Sequence, residues 1–117
     1  LIKERGFEVG LQLMPGLPGD TADGIQETTQ AVIALAPDFV RVYPTLVLKG
    51  TALHDMYAAG SYRPWTLEDM AKVCGQMQRQ FHMAGIRVIR FGLQPTAALE
   101  ASLVAGPYHP AFRDLLV

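Results

Sequence analysis

The sequence predicts an α/β fold in which three parallel strands alternate with helices in β-α-β-α-β order. Two long segments with helical periodicity separate three short strand-like stretches, and the links from helix to strand are short. Such links favour right-handed crossovers and therefore parallel strands. Parallel strands covered on both faces are almost continuously apolar, whereas each strand predicted here carries polar residues on one face. A barrel with a polar ligand inside explains this pattern better than a doubly wound sheet.

The composition bounds the function. The chain has 117 residues, half of them hydrophobic and 18% charged, which predicts one small packed domain. The net charge of −1, without a basic run, gives no electrostatic reason to expect nucleic-acid binding by this piece alone. The single cysteine, Cys74, excludes an internal disulfide and a multi-cysteine metal site, and we predict no metal site. Because this cysteine content fits a reducing compartment, we expect a cytoplasmic protein; the sequence shows neither a signal peptide nor an apolar stretch long enough to cross a membrane.

The first strand is predicted over residues 7–14, where apolar and polar letters alternate. Gln12 and Met14 are expected on the ligand side, opposite the residues that pack under the helices. The packed residues are Phe7, Val9, Leu11 and Leu13. The turn PGLPGD follows; it has Asp20 where a phosphate loop has lysine, and its two prolines remove N–H donors. This turn is therefore not predicted to bind phosphate.

Two long helices are predicted between the strands. The first begins near Asp20–Thr21, whose side chains can cap free N–H groups, and Pro37 ends it. Its buried positions are Ile25, Val32 and Ala36. The second begins at Thr66 and ends at Gly85. Its apolar positions recur at helical spacing and are Leu67, Met70, Val73 or Cys74, Met77 and Phe81.

The other elements are shorter. The second and third strands are predicted over residues 39–43 and 86–91, and residues 44–65 form a long connection with a short helix over 52–59. A last helix is predicted over 96–104. The polar side chains assigned to one face of the sheet are Glu8, Gln12, Arg41, Tyr43, Arg87 and Arg90.

Few single residues indicate chemistry by themselves. Lys49 follows a strand in a long loop, where it can bind a carboxylate or a phosphate, although a solvated loop lysine is the simpler interpretation. His54 and His82 have no second ligand four residues on, and His109 is expected to form a local hydrogen bond. Cys74 fits a helix core. No catalytic residue is predicted.

Three segments give a resemblance to a known family. LMPGLPGDT, VRVYPTLVLKGTALHDMYAAGSYRPWTLEDM and GPYHPAFRDLL resemble the radical S-adenosylmethionine (SAM) enzymes, most closely the Elongator-type enzymes. The specific part is YPTLVLKGT followed by Y-x-x-G-x-Y. The GLPGDT turn also resembles oxygen-independent coproporphyrinogen III oxidase and is less specific.

The resemblance implies that residues 1–117 are the C-terminal half of a partial (β/α)6 barrel, with strand 7–14 fifth and strand 39–43 sixth. In such enzymes a three-cysteine motif after the first strand holds a 4Fe-4S cluster, and SAM bound to it yields a 5′-deoxyadenosyl radical. That motif is absent here, so SAM and the cluster are expected in the parent protein and neither on this chain alone. The isolated chain is expected to be catalytically silent.

The resemblance also implies site residues and partners. Gln12 and Met14, with Gly16 in the turn, are expected to contact SAM, and Tyr43 and Lys49 to face the substrate. The parent's substrate would be a transfer RNA or a porphyrin-type molecule. The expected partners are the missing N-terminal half of the barrel or, for the fragment alone, a second copy in a homodimer. The alternative is a stand-alone α/β module that binds a ligand or partner without catalysis.

Overall fold

The computed structural model describes residues 8–93 and 95–116, and its elements agree with most of the predicted ones. In chain order they are β1 (Gly10–Leu13), α1 (Ala22–Leu35), β2 (Phe39–Val42), β3 (Val47–Leu48), α2 (Ala52–Ala58), α3 (Leu67–Met83), β4 (Arg87–Phe91), α4 (Ala97–Ser102), β5 (Leu103–Ala105) and a 3₁₀ helix (Phe112–Leu115). Phe7, the first residue of the predicted strand 7–14, lies outside the described residues.

The main sheet is parallel and has the strand order β1-β2-β4, which confirms the three predicted parallel strands. A second sheet, in which β3 and β5 pair antiparallel, was not predicted. Its strands have only two and three residues, too few to show alternation in a sequence. The last predicted helix was too long, because α4 ends at Ser102 and the following residues form β5.

The long helices begin at the predicted caps. The Oγ1 atom of Thr21 accepts a hydrogen bond from the N–H of Gly24 at 3.0 Å, and that of Thr66 accepts one from Asp69 at 3.1 Å. The predicted burial of Ala36 is wrong, since this residue is exposed and has a left-handed φ of 50°. A proline disfavours the helical conformation in the residue before it. For this reason α1 ends before Ala36 rather than at Pro37.

The core lies between α1, α3 and one face of the main sheet. The helices contribute Ile25, Val32, Met70, Val73, Cys74, Met77 and Phe81, and the sheet contributes Leu11, Leu13, Val40, Val42, Val88 and Phe91. Cys74 is fully buried, as predicted, and burial raises the pKa of its thiol to about 12. The alternation predicted for β1 is therefore confirmed, with Leu11 and Leu13 against the core and Gln12 exposed.

The opposite face of the sheet is polar. The pairing of β2 with β4 shifts by one residue between Val40 and Arg41, so that Phe39 pairs with Arg87 and Arg41 pairs with Arg90. Because of this irregularity Arg87 and Arg90 share a face although they are three positions apart. No helix within residues 8–93 and 95–116 is long and apolar enough to span a membrane.

Candidate functional site

The candidate site lies where the carboxyl ends of β1 and β2 meet. The ladder between these strands continues past both of them, since the N–H of Tyr43 donates to the carbonyl of Leu13 at 2.8 Å and that of Thr45 to Pro15 at 2.9 Å. In parallel α/β folds, ligands bind at this end of the strands. The predicted residues Met14 and Tyr43 are thereby brought to one rim.

The PGLPGD turn after β1 is closed by its own acid. One carboxylate oxygen of Asp20 accepts hydrogen bonds from the N–H groups of Gly16 at 2.9 Å and Leu17 at 3.0 Å, and the Asp20 N–H donates back to Leu17. In a phosphate loop such N–H groups would hold the anion. Here a side-chain carboxylate takes that place, in agreement with the prediction that the turn does not bind phosphate.

Gly16 adopts a left-handed backbone conformation that favours glycine, and its surroundings are close. Its φ is 99°, and an added Cβ would lie 2.7 Å from the Cε atom of Met70 and 3.5 Å from the Cβ of Thr45. Its carbonyl accepts a 2.6 Å hydrogen bond from the hydroxyl of Tyr62, which belongs to the connection between α2 and α3. Both backbone polar groups of Gly16 are thus bonded inside the protein.

Tyr62 is the residue of this site that sequence reasoning missed. Burial, and in second place the nearby Asp20 carboxylate, raise its pKa, so its hydroxyl is a neutral donor. Its partner lies far away in the sequence, and no local pattern indicates such a bond. The only signal was its place in the Y-x-x-G-x-Y motif, which was read as a mark of family and not as a contact.

A cavity of about 240 Å³ opens beside this turn, and Gln12, Met14 and Asp20 lie on its wall. Gln12 is exposed and Met14 is 46% exposed. Side chains of α1 and α3 share the cavity wall, so the cavity opens at the edge of β1 toward the helices and not on the sheet face that the prediction assigned to a ligand. Gly16 forms the packed floor of the adjoining turn. Contact of these three residues with SAM stays a prediction.

The two residues predicted on the substrate side are placed differently. Tyr43 is half-buried directly after β2 and belongs to the rim. Lys49 follows β3 in the second sheet, where its N–H donates to the carbonyl of Ser102 at 2.9 Å and its side chain is exposed. The structure therefore joins Tyr43 to the rim residues of β1, whereas Lys49 extends from another sheet.

The side chains that could bind a cofactor indicate which cofactor fits this chain. An iron–sulfur cluster needs several thiolates, and the one cysteine is neutral in the core. Among the residues that the structure describes, no group of three or more His, Cys, Asp or Glu side chains could hold a metal. The rim fits SAM better, because Thr45 lies there with a buried hydroxyl that finds no hydrogen-bond partner within residues 8–93 and 95–116.

Comparison with known proteins decides the family. Residues 37–117 match the radical SAM C-terminal domain. This chain belongs to that family. The predicted resemblance to Elongator-type radical SAM enzymes is confirmed, in their C-terminal part.

Named relatives agree with this assignment. The chain is similar to the tRNA uridine(34) acetyltransferase of Methanocaldococcus jannaschii, with 33% identity over 76 residues, 62% of this chain and 14% of that protein. It is similar to Elongator complex protein 3 of Homo sapiens, with 31% identity over 80 residues, 66% of this chain and 15% of that protein. It therefore spans only 14–15% of these relatives.

A solved structure extends the likeness to almost the whole chain. The archaeal Elp3 of Methanocaldococcus infernus, solved with an N-terminal deletion, superposes with a TM-score of 0.85 and 26% sequence identity. The superposition covers 99% of this chain and 27% of that one. It therefore includes β1 and the PGLPGD turn, which precede the residues matched to the family.

Proposed function

We propose that this chain is the C-terminal half of the (β/α)6 barrel of an Elongator-type radical SAM enzyme. In this proposal the chain forms one wall of the pocket in which SAM and substrate meet. The observation that carries it is the rim, where Gln12 and Met14 are exposed beside a turn that Asp20 and Tyr62 hold in place. Membership of the radical SAM C-terminal domain family supports it.

The residues of this chain would bind and orient SAM rather than activate it. The Gln12 amide can both donate to and accept from the polar groups of a nucleoside, and the Met14 thioether can cover an apolar surface. When bound in the parent, a 4Fe-4S cluster supplies the electron that cleaves SAM to a 5′-deoxyadenosyl radical. The cysteines that hold it would come from the N-terminal half, the proposed partner of this chain in the cytoplasm.

The substrate is proposed from the relatives. Because a similar protein is named a tRNA uridine(34) acetyltransferase, we propose that the parent acts on transfer RNA. Tyr43 at the rim would contact the substrate, and Lys49 would add a positive charge from the second sheet. Porphyrin-type chemistry rests on the turn alone and stays an expectation. The family match favours the enzyme over the stand-alone binding module.

A substitution of Gln12 in the intact enzyme tests the proposal. With the cluster reconstituted without oxygen, Gln12→Ala should raise the Kd for SAM about tenfold, the effect of one lost hydrogen bond. Gln26→Ala is the matched control, because Gln26 is exposed on α1 and does not line the cavity. SAM binding is measured by calorimetry, and its cleavage by the 5′-deoxyadenosine formed. An intact enzyme that does not cleave SAM, or equal SAM affinities for the two variants, would contradict the proposal.

A further inference from the structure

Three polar residues form one row across the sheet, on the face turned away from the helices. Gln12 pairs with Arg41, and Arg41 pairs with Arg90. Paired residues of neighbouring strands lie about 5 Å apart and point to the same face. Two guanidinium groups and one amide therefore leave the sheet side by side, although their residues are widely separated in the sequence.

The two positive charges lie opposite each other on this face. Neither arginine has an ion-pair partner among the interactions of the described residues; Arg41 instead lies 5.1 Å from the ring centre of Phe39. Both side chains are half-buried. Like charges placed directly opposite each other in a sheet repel, so an anion bound between the two arginines would stabilise this arrangement.

The two arginines have different surroundings. Arg90 lines a cavity of about 290 Å³ between the end of β4 and residues 110–113, whose wall does not include Arg41. Gly92, which follows β4 and has no side chain, lies on the same wall. On the other side, the ring of Phe39 covers Gly10, where an added Cβ would overlap it at 2.1 Å. Phe39 thus gives the Arg41 guanidinium an aromatic ring to rest on.

We propose that Arg41 and Arg90 form a phosphate-binding site, with the amide of Gln12 as a third donor. A guanidinium presents a planar fork that binds oxyanions with two parallel hydrogen bonds. One fork is enough for the two oxygens of a carboxylate, whereas two adjacent forks match the larger number of oxygens on a phosphate. The ligand is a phosphate ester, either from a nucleic-acid backbone or from a small nucleotide. The arginine pair follows from the sheet register, whereas the third donor, Gln12, is shared with the proposed function, which places the same amide against SAM.

Binding of phosphate to the full 117-residue chain tests this site directly. The chain is labelled with nitrogen-15 arginine, and the Nε–H signals are followed by NMR while sodium phosphate replaces sodium chloride at constant ionic strength. The signals of Arg41 and Arg90 should shift with the same half-saturation. The signal of Arg79, which is exposed on α3, should stay in place. No shift of the pair, or equal shifts of all arginines, would overturn the proposal.

Variants separate recognition from general charge. Arg90→Gln should weaken phosphate binding about ten- to a hundredfold, as expected for the loss of hydrogen bonds to a charged group. Arg79→Gln, which changes the net charge equally, should have no effect. If circular dichroism shows that Arg90→Gln is unfolded, Arg90→Lys keeps the charge but loses the fork and should still weaken binding. Unchanged affinity in a folded Arg90 variant contradicts the proposal.

A last arm of the experiment distinguishes the two sources of phosphate. Uridine 5′-monophosphate and a short oligouridylate are compared at equal phosphate concentration. Tighter binding of the oligomer, with a steeper dependence of log K on log salt that becomes shallower in Arg90→Gln, indicates a nucleic-acid backbone. Equal or tighter binding of the monophosphate indicates a small nucleotide. Failure of both ligands to displace inorganic phosphate would overturn the assignment to a phosphate ester.

Discussion

The two edges of the main sheet are built in opposite ways. On the β4 side the 3₁₀ helix lies against the strand: Phe112 is buried, and the guanidinium of Arg113 donates to the carbonyl of Val88 and lies 5.6 Å from the ring centre of Phe91. On the β1 side no strand among the described residues continues the sheet. The sheet is therefore finished at β4 and open at β1.

The outer edge of β1 presents backbone groups that can pair with another strand. The carbonyls of Val9 and Leu13 accept hydrogen bonds from the β2 side, so the backbone groups of the alternate residues, Gly10 and Gln12, point outwards. These residues include neither Pro nor Lys, the side chains that commonly protect an edge from pairing. An edge of this kind favours the addition of a further strand, which supports the proposal that the N-terminal half of a barrel pairs here.

The largest effect is expected when the chain is studied alone. We predict that it forms a dimer in which two β1 edges pair about a twofold axis, antiparallel where an intact barrel would pair parallel. Light scattering should show the dimer at tens of micromolar, which corresponds to about 6 kcal/mol of association free energy. A monomer under these conditions, with rapid amide exchange in β1, contradicts this prediction.

A proline on the open edge sharpens this test. Gln12→Pro removes an outward N–H group without removing a bond to β2, so the variant should be monomeric. Gln12→Ala keeps that N–H and is the matched control, which should still form the dimer. If Gln12→Pro also forms the dimer, the association uses another surface.

The next largest effect is a difference in unfolding free energy between variants of the core side chains at the two edges. Phe91 is 7% exposed under the 3₁₀ helix, whereas Leu11 on β1 is only half-buried. We expect Phe91→Ala to lower the free energy of unfolding by about 3–5 kcal/mol and Leu11→Ala by about 1–2 kcal/mol. Urea unfolding below the dimerisation range measures both. Equal losses would mean that β1 is covered as completely as β4.

Local patterns predicted the parts of this fold that depend on neighbouring residues. Thr21 and Thr66 were identified as helix starts because a cap acts within one turn, and the alternation of Gln12 with Leu11 and Leu13 follows from strand geometry. The error at Ala36 is local too: helical spacing assigns Ala36 to the buried stripe, but the proline that follows disfavours the helical conformation at this residue.

What could not be predicted depends on pairing between distant segments. The register shift beside Arg41, which places it opposite Arg90, is decided by how two strands pack on one core. The small second sheet has too few residues for a pattern. The bond from Tyr62 to Gly16 joins two loops, and each loop alone has the composition of an ordinary turn.

The smallest predicted effect tests how the open strand is secured at its end. No described strand covers the outer edge of β1, but the turn that follows β1 is held by the 2.6 Å hydrogen bond from Tyr62 to Gly16. Tyr62→Phe leaves a buried carbonyl without its donor and should cost about 1–3 kcal/mol of unfolding free energy. Tyr57→Phe is the matched control, because Tyr57 is 38% exposed on α2 and should change stability little.

The pH dependence distinguishes this bond from simple packing. The pKa of Tyr62 is raised in the folded protein from its ordinary value of 10.0, first by burial and then by the Asp20 carboxylate. The unfolded chain therefore loses the proton at lower pH, and the stabilisation by Tyr62 is complete below pH 10 and falls as the pH rises further. Urea unfolding of the wild type and of Tyr62→Phe should show a constant difference in unfolding free energy up to about pH 9 and a smaller one above pH 10.

Amide exchange should become faster in Tyr62→Phe at Gly16 and Leu17 and stay unchanged in β4, because only the open side of the sheet relies on this bond. Equal acceleration at both edges would show that Tyr62 supports the whole core instead of the turn after β1.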